Sequence, residues 1–181
     1  MEKLPDRSSA GGRTFTVADF YEAGREELSL ALVSGGENMR RTVDEPVVNR
    51  PGLALTGFYE HFAWRRLQLI GNAEMSYLRT LDDETRRARF RALIDRRAFC
   101  FIFTNSIKPS ADEVALGDKA GAVIMTSPLK TRVFAHQSAF VLERLGAPQT
   151  SIYGTMVEVC GLGSSSRVTP VSESRRRRWA S

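Results

Sequence analysis

Residues 98–104 read AFCFIFT, a continuous apolar run that predicts a β-strand buried on both faces of a sheet. On both sides of this run, short apolar segments alternate with segments of helical periodicity over residues 67–163. Alternation of this kind is typical of helices that cover both faces of a largely parallel sheet. The sequence therefore predicts a single α/β domain with a mixed or mostly parallel sheet flanked by helices.

The neighbouring segments extend this pattern. A strand is predicted over residues 66–70, and Asn72 is predicted to cap a short helix that runs to about residue 80. Acidic residues begin the next helix, within residues 81–97, and arginines follow near its end, which suits the helix dipole. The longest helix is predicted to have Pro128 or Leu129 in its first turn and to end before Gly146.

Shorter elements are predicted towards the two ends of the chain. Thr16 is expected to cap a helix that Gly24 ends. Residues 44–62 are predicted to form a loop with a brief strand at Val47 and Val48. The last strand is predicted over residues 151–159.

Composition is ordinary for a soluble globular protein, with 42% hydrophobic and 26% charged residues in a chain of 181. Residues 1–14 have no apolar core of a secretory signal and are expected to be flexible. Both cysteines, Cys100 and Cys160, lie in apolar runs, which favours reduced thiols and a cytoplasmic protein without membrane spans.

The formal net charge of +5 and the pI near 9.6 raise the question of nucleic-acid binding. Five of the 26 basic residues follow Gly163, whereas only one of the 21 acidic residues does. The rest of the chain is therefore nearly neutral. We expect no specific nucleic-acid binding, only weak and salt-sensitive contacts through residues 175–178.

Two places could bind a small ligand. In NRPGLALTG, Arg50 is a possible anion ligand, Pro51 stiffens the chain and Gly52 permits a positive φ, although a structural turn explains the same residues. Thr104 and Asn105 follow the buried strand, at the end of a parallel strand where α/β sheets often bind ligands. The two histidines are isolated, so no metal site is predicted.

Five stretches occur in an order and spacing that resembles the N-terminal lobe of bacterial HPr kinase/phosphorylase, over about residues 15–163. They are LVSGGENMRR, NRPGLALTGFYEHF, RRLQLIGNAEMSYL, KTRVF and TSIYGTMVEVCGLG. The resemblance implies an α/β lobe similar to the N-terminal domains of Mur ligases. It also implies a following lobe with a P-loop, which binds ATP and Mg²⁺ and phosphorylates or dephosphorylates a serine of the carrier protein HPr.

The chain departs from the family pattern in two places. Tyr153 stands where the family usually has an active-site histidine, and the sequence contains no G-x-x-x-x-G-K-[ST] motif. Codons for residues 164–180 can be chosen so that restoring one base after Gly163 gives VLIKGDSGIGKSETALG, which contains a complete P-loop. Residues 164–181 are therefore interpreted as a disordered basic tail produced by a frameshift.

These observations predict a truncated lobe without catalytic residues, nucleotide site or cofactor of its own. HPr would then be a doubtful partner, and loose self-association is possible through the unpartnered end of the lobe. The alternative is a stand-alone module that binds a nucleotide sugar or small anion through Arg50, Thr104 and Asn105.

Overall fold

The computed structural model describes residues 14–147 and the backbone of residues 154–159 and 162–167. Two compact units, Met1–Pro148 and Gln149–Ser181, are described separately. The strands of the first unit are β1 (Phe15–Thr16), β2 (Ala31–Ser34), β3 (Thr42–Val43), β4 (Val48–Asn49), β5 (Leu67–Ile70), β6 (Cys100–Phe103) and β7 (Val123–Thr126). Its α-helices are α1 (Val17–Gly24), α2 (Gly52–Thr56), α3 (Asn72–Arg79), α4 (Asp83–Asp95), α5 (Ala111–Ala120) and α6 (Thr131–Gly146).

A five-stranded sheet in the order β2-β7-β6-β5-β4 is the centre of this unit. Strands β4, β5, β6 and β7 are parallel, and β2 is an antiparallel edge strand beside β7. A separate antiparallel pair joins β1 to β3. The predicted α/β architecture with a mixed, mostly parallel sheet is confirmed.

Strand β6 is buried along its whole length because it contributes alternate side chains to two cores. Cys100 and Ile102 join a cluster that includes residues of α1 and α6, such as Phe20. Phe101 and Phe103 face the other way and pack with residues of α2, α3 and α4, such as Phe90. Helices cover both faces, which explains why the AFCFIFT run contains no alternation of polar residues.

The predicted cap of α1 is confirmed, and α4 begins among the acidic residues that were expected at its start. The Thr16 hydroxyl accepts from the backbone N–H of Asp19 at 3.2 Å, so Thr16 is the N-cap of α1. The Asp82 carboxylate likewise accepts from the Thr85 N–H at 2.8 Å and caps α4. In both cases a side-chain oxygen satisfies an otherwise unpaired donor of the first turn.

Other boundaries were wrong. Gly71, and not Asn72, is the N-cap of α3, and the Glu74 carboxylate accepts its N–H at 3.0 Å. Helix α6 begins at Thr131, so Pro128 and Leu129 are not in its first turn, because Ser127 and Leu129 form hydrogen bonds with β6 and the loop after it. It also includes Gly146 as its last residue.

The stretch predicted as a loop contains two regular elements. Strand β4 lies one residue later than expected, and α2 follows it directly. Gly52 is the first residue of α2 and has no positive φ, whereas Gly57 ends the helix with φ of 105°. The paired strands β1 and β3 were not predicted at all.

The second unit contains an antiparallel pair, β8 (Gly154–Val159) and β9 (Leu162–Arg167). The predicted domain boundary at Gly163 falls within β9. Residues 151–153 of the predicted last strand, including Tyr153, lie outside the described residues, as do residues 168–181. No helix among the described residues is both long and apolar enough to cross a membrane.

The Cys100 thiol gives a test of the buried core. Burial raises its pKa from an ordinary value of 9.0 to about 12. Because the thiolate is the reactive form, a Cys160→Ser variant should resist a thiol reagent at pH 8 while folded and react rapidly once unfolded. Since only the unfolded chain can ionise this thiol as the pH rises above 9, the free energy of unfolding should fall there. Fast labelling of the folded variant would contradict the described core.

Candidate functional site

The carboxyl ends of β4, β5 and β6 lie at one edge of the sheet because these strands are parallel. Arg50 follows β4, Gly71 follows β5, and Thr104 with Asn105 follows β6. The three residues proposed for ligand binding from the sequence are therefore brought to the same edge.

Arg50 is held by a buried carboxylate. Its Nε and Nη2 each donate to one oxygen of Glu74 at 3.0 Å. Glu74 is only 4% exposed and also accepts the Gly71 N–H, whereas the Arg50 side chain is 51% exposed. The forked pairing satisfies the buried charge and fixes Arg50 against the start of α3.

A chain of hydrogen bonds joins the residues after β6 to the start of α6. Asn105 Nδ2 donates to Thr131 Oγ1 at 2.7 Å, and Thr131 Oγ1 lies 2.8 Å from Thr104 Oγ1. Thr104 Oγ1 in turn donates to the carbonyl of Ile70 at 3.2 Å. Each hydroxyl has one proton, so the Thr131 hydroxyl must donate to Thr104.

The backbone around this chain is constrained. Asn105 and Ser106 both adopt positive φ, 58° and 56°. Two consecutive non-glycine residues in the left-handed region carry a conformational cost, which surrounding contacts must offset. Here the Asn105 N–H donates to the Leu129 carbonyl at 2.8 Å and the Ser106 N–H to that of Ser127 at 3.2 Å.

Gly71 lies between the two groups of polar residues. A Cβ at this position would lie 2.3 Å from Thr131 Oγ1 and 3.0 Å from its Cγ2. The close approach lets the start of α6 reach the end of β5. Sequence reasoning did not single out Gly71, Glu74 or Thr131, although two of the quoted stretches contain them.

Basic side chains surround the same edge. Arg50 is half exposed, and Lys130 and Arg132 on either side of Thr131 are exposed, as is Lys108 in the loop after β6. Within the described residues, no group of three or more histidine, cysteine, aspartate or glutamate side chains could hold a metal ion. The chemistry of the described edge is therefore that of hydrogen-bonded hydroxyl and amide groups with cations around them.

The sequence of the first unit was compared with models of known protein families. The model of the family described as "HPr Serine kinase N terminus" matches residues 15–142. The chain belongs to this family. The match includes the whole sheet and every residue of the carboxyl edge described above, but ends before β8.

Individual HPr serine kinase relatives agree with this assignment. The HPr kinase/phosphorylase of Peptoclostridium acidaminophilum is 32% identical over 138 residues, 76% of this chain and 45% of the relative. That of Geobacter sulfurreducens is 29% identical over 150 residues, which are 83% of this chain and 47% of the relative. That of Chlorobium phaeobacteroides is 30% identical over 161 residues, 87% and 47%. The chain thus spans a little under half the length of these curated relatives.

The contact at Gly71 predicts a matched pair of variants. Gly71→Ala should lower the free energy of unfolding by about 1–3 kcal/mol, because the branched Thr131 side chain has to move and its hydrogen bonds are strained. Gly52→Ala is the control, since the nearest atom to its Cβ, Glu74 Oε1, lies 3.8 Å away. It should change stability by no more than about 0.5 kcal/mol. Equal losses in chemical denaturation would contradict the proposed close contact.

Proposed function

We propose that this chain is the N-terminal regulatory or structural lobe of an HPr kinase/phosphorylase-type protein and does not itself transfer phosphate. The family match over residues 15–142 carries the proposal. The named relatives are HPr kinase/phosphorylases of about twice the matched length. The resemblance implies that phosphoryl transfer from ATP to HPr, assisted by Mg²⁺, belongs to the lobe that carries the P-loop.

The geometry of the carboxyl edge supports a scaffolding role. The Thr104 and Thr131 hydroxyls bond to each other and to fixed partners, and Glu74 is occupied by Arg50 and the Gly71 N–H. Phosphoryl transfer instead depends on backbone amides and a lysine that cradle the phosphates and on a hydroxyl that binds Mg²⁺. The printed sequence contains no P-loop motif that would supply these groups.

The proposal is tested by a kinase assay. The purified 181-residue chain, incubated with HPr, ATP and Mg²⁺, should produce no phosphoserine on HPr, as detected by mass spectrometry. The intact HPr kinase/phosphorylase of Peptoclostridium acidaminophilum is the positive control. Phosphorylation by the chain that follows its concentration and disappears on heat denaturation would contradict the proposal.

A second arm tests the frameshift interpretation of residues 164–181. The gene should be resequenced across the Gly163 codon, and a version with one base inserted there should encode a P-loop motif. A single-base insertion that yields no P-loop motif would contradict the frameshift interpretation, while leaving the family assignment untouched.

A second candidate function is binding of a small anion at the carboxyl edge. The surrounding cations Arg50, Lys130 and Arg132, together with the two left-handed residues at Asn105 and Ser106, favour it. Because Arg50 is already paired with Glu74, an incoming anion would have to compete with that carboxylate or use the outer side of the guanidinium.

A metabolite screen by thermal shift tests this candidate. A true ligand should raise the unfolding midpoint of the natural chain and fail with an Arg50→Ala/Glu74→Gln variant. The double change is needed because Arg50→Ala alone would leave the buried Glu74 carboxylate without its cation, at a cost of about 3–5 kcal/mol. Arg79→Ala, an exposed arginine at the end of α3, is the control for charge. A ligand that stabilises the natural chain and both variants equally would rule out this edge.

A further inference from the structure

A cleft of about 420 Å³ lies where the chain enters β5 and β6, at the amino edge of the sheet. Its lining residues are Tyr59, Phe62, Trp64, Asp95, Arg96 and Arg97. Small-molecule sites commonly have volumes of about 300–1,000 Å³ and apolar or aromatic walls with a few polar groups. This cleft has a volume in that range, is open to solvent and is lined by three aromatic and three charged residues. It lies at the opposite edge from Arg50 and Thr104.

The arginines of the cleft are positioned by aromatic rings. The Arg96 guanidinium carbon lies 3.3 Å from the centre of the Tyr59 ring. The guanidinium carbons of Arg97 and of Arg65, which follows Trp64 in the sequence, lie 5.9 Å and 4.9 Å from the centre of the Trp64 ring. Cation–π contacts of this kind restrain a guanidinium while its N–H groups remain available to an anion.

These cations are not neutralised within the described residues. The ion pairs there involve Arg50, Arg66, Arg86, Arg87 and Arg144. None includes Arg65, Arg96 or Arg97, and Asp95 is the one acidic residue of the lining. The Arg96 side chain donates one hydrogen bond, to the Ala92 carbonyl at 2.9 Å. The cleft therefore concentrates positive charge beside three aromatic side chains.

Arg97 also has an unfavourable backbone conformation, with φ of 72°. It ends α4 in a pair of hydrogen bonds, from its own N–H to Ile94 and from the Ala98 N–H to Leu93, at 2.8 Å and 3.2 Å. Helices ending in this way usually place glycine at the left-handed position, because a side chain is strained there.

Other helices in the described part of the chain follow that rule more closely. The same pair of bonds occurs at Gly57 after α2 and at Gly121 after α5, with φ of 105° and 68°. After α1 the corresponding residue is the small Ser29, with φ of 47°. At Arg97 a long charged side chain occupies a position that glycine would fill with less strain, and that side chain lines the cleft.

We propose that this cleft binds a small phosphate ester that carries a planar ring. The guanidinium groups of Arg96 and Arg97 donate to the phosphate oxygens, a geometry that arginine forms with two parallel hydrogen bonds. The rings of Tyr59, Phe62 and Trp64 contact the planar part of the ligand. The site is independent of the phosphoryl transfer attributed to the family and would serve as a sensing site on this lobe.

The probe is phenyl phosphate, followed through Trp64 fluorescence in a full-length chain with Trp179→Phe. The signal should change saturably. Inorganic phosphate, which lacks the ring, and benzyl alcohol, which lacks the charge, should bind at least about tenfold more weakly. Arg97→Gly should weaken phenyl phosphate binding at least about tenfold, while leaving the thermal midpoint unchanged or raising it by about 2 °C.

The matched control is Arg25→Ala. Arg25 also lies over an aromatic ring, 5.8 Å from the centre of Tyr21, but it is surrounded by Glu22, Glu26 and Glu27. It should leave phenyl phosphate binding unchanged. Unchanged binding in Arg97→Gly, no saturable binding in the natural chain, or equal binding of benzyl alcohol would each overturn the proposal. Tighter binding of a short single-stranded RNA at the same residues would also overturn it, because the cleft would then belong to a nucleic-acid surface.

Discussion

Burial of β6 on both faces is the constraint from which the rest of the first unit follows. Each large apolar side chain removed from water contributes about 1.5–3 kcal/mol, and Phe101, Ile102 and Phe103 are all fully buried. Since alternate residues point to opposite faces, helices must cover both sides of the strand. Along β6, polar side chains can therefore be placed only before the strand begins and after it ends. Arg97 precedes the strand and Thr104 follows it, so both candidate sites are located by the same buried element.

The sequence predicts the parts of the fold whose causes are local. Apolar residues identify β5 and β6, the predicted cap Thr16 locates the start of α1, and acidic residues mark the start of α4. Helix α2 has only five residues and begins after a proline, so its helical state depends on the burial of Ala54 and Leu55 rather than on periodicity. The start of α6 is displaced by hydrogen bonds to the loop after β6, which no local pattern could reveal. The two-residue strands β1 and β3 similarly exist through their pairing with each other.

The carboxyl edge was predictable in position but not in chemistry. That Arg50, Thr104 and Asn105 lie at the ends of parallel strands follows from the order of elements. The pairing of β4 with β5 and the capping of α3 together bring Arg50 into contact with Glu74, 24 residues away. An exposed cation in the sequence therefore becomes the partner of a buried carboxylate in the fold. Its first effect is on stability, because a buried carboxylate without that partner would be costly.

The two edges of the sheet differ in how far their polar groups are satisfied. At the carboxyl edge, hydroxyl, amide and carboxylate groups bond to one another, and the strained residues Asn105 and Ser106 are held by backbone hydrogen bonds. At the amino edge, Arg65 and Arg97 contact aromatic rings without a carboxylate partner among the described residues. Polar groups that all have hydrogen-bond partners stabilise a fold. Backbone strain and an unpaired charge lower its stability relative to an unstrained, uncharged residue at the same position. Arg97 has both the strained backbone and the unpaired charge. At the equivalent positions after α2 and α5, the same chain has Gly57 and Gly121. A residue that lowers stability in this way, beside a cleft with aromatic walls, supports the proposed ligand site, because a purely structural role would favour glycine at this position.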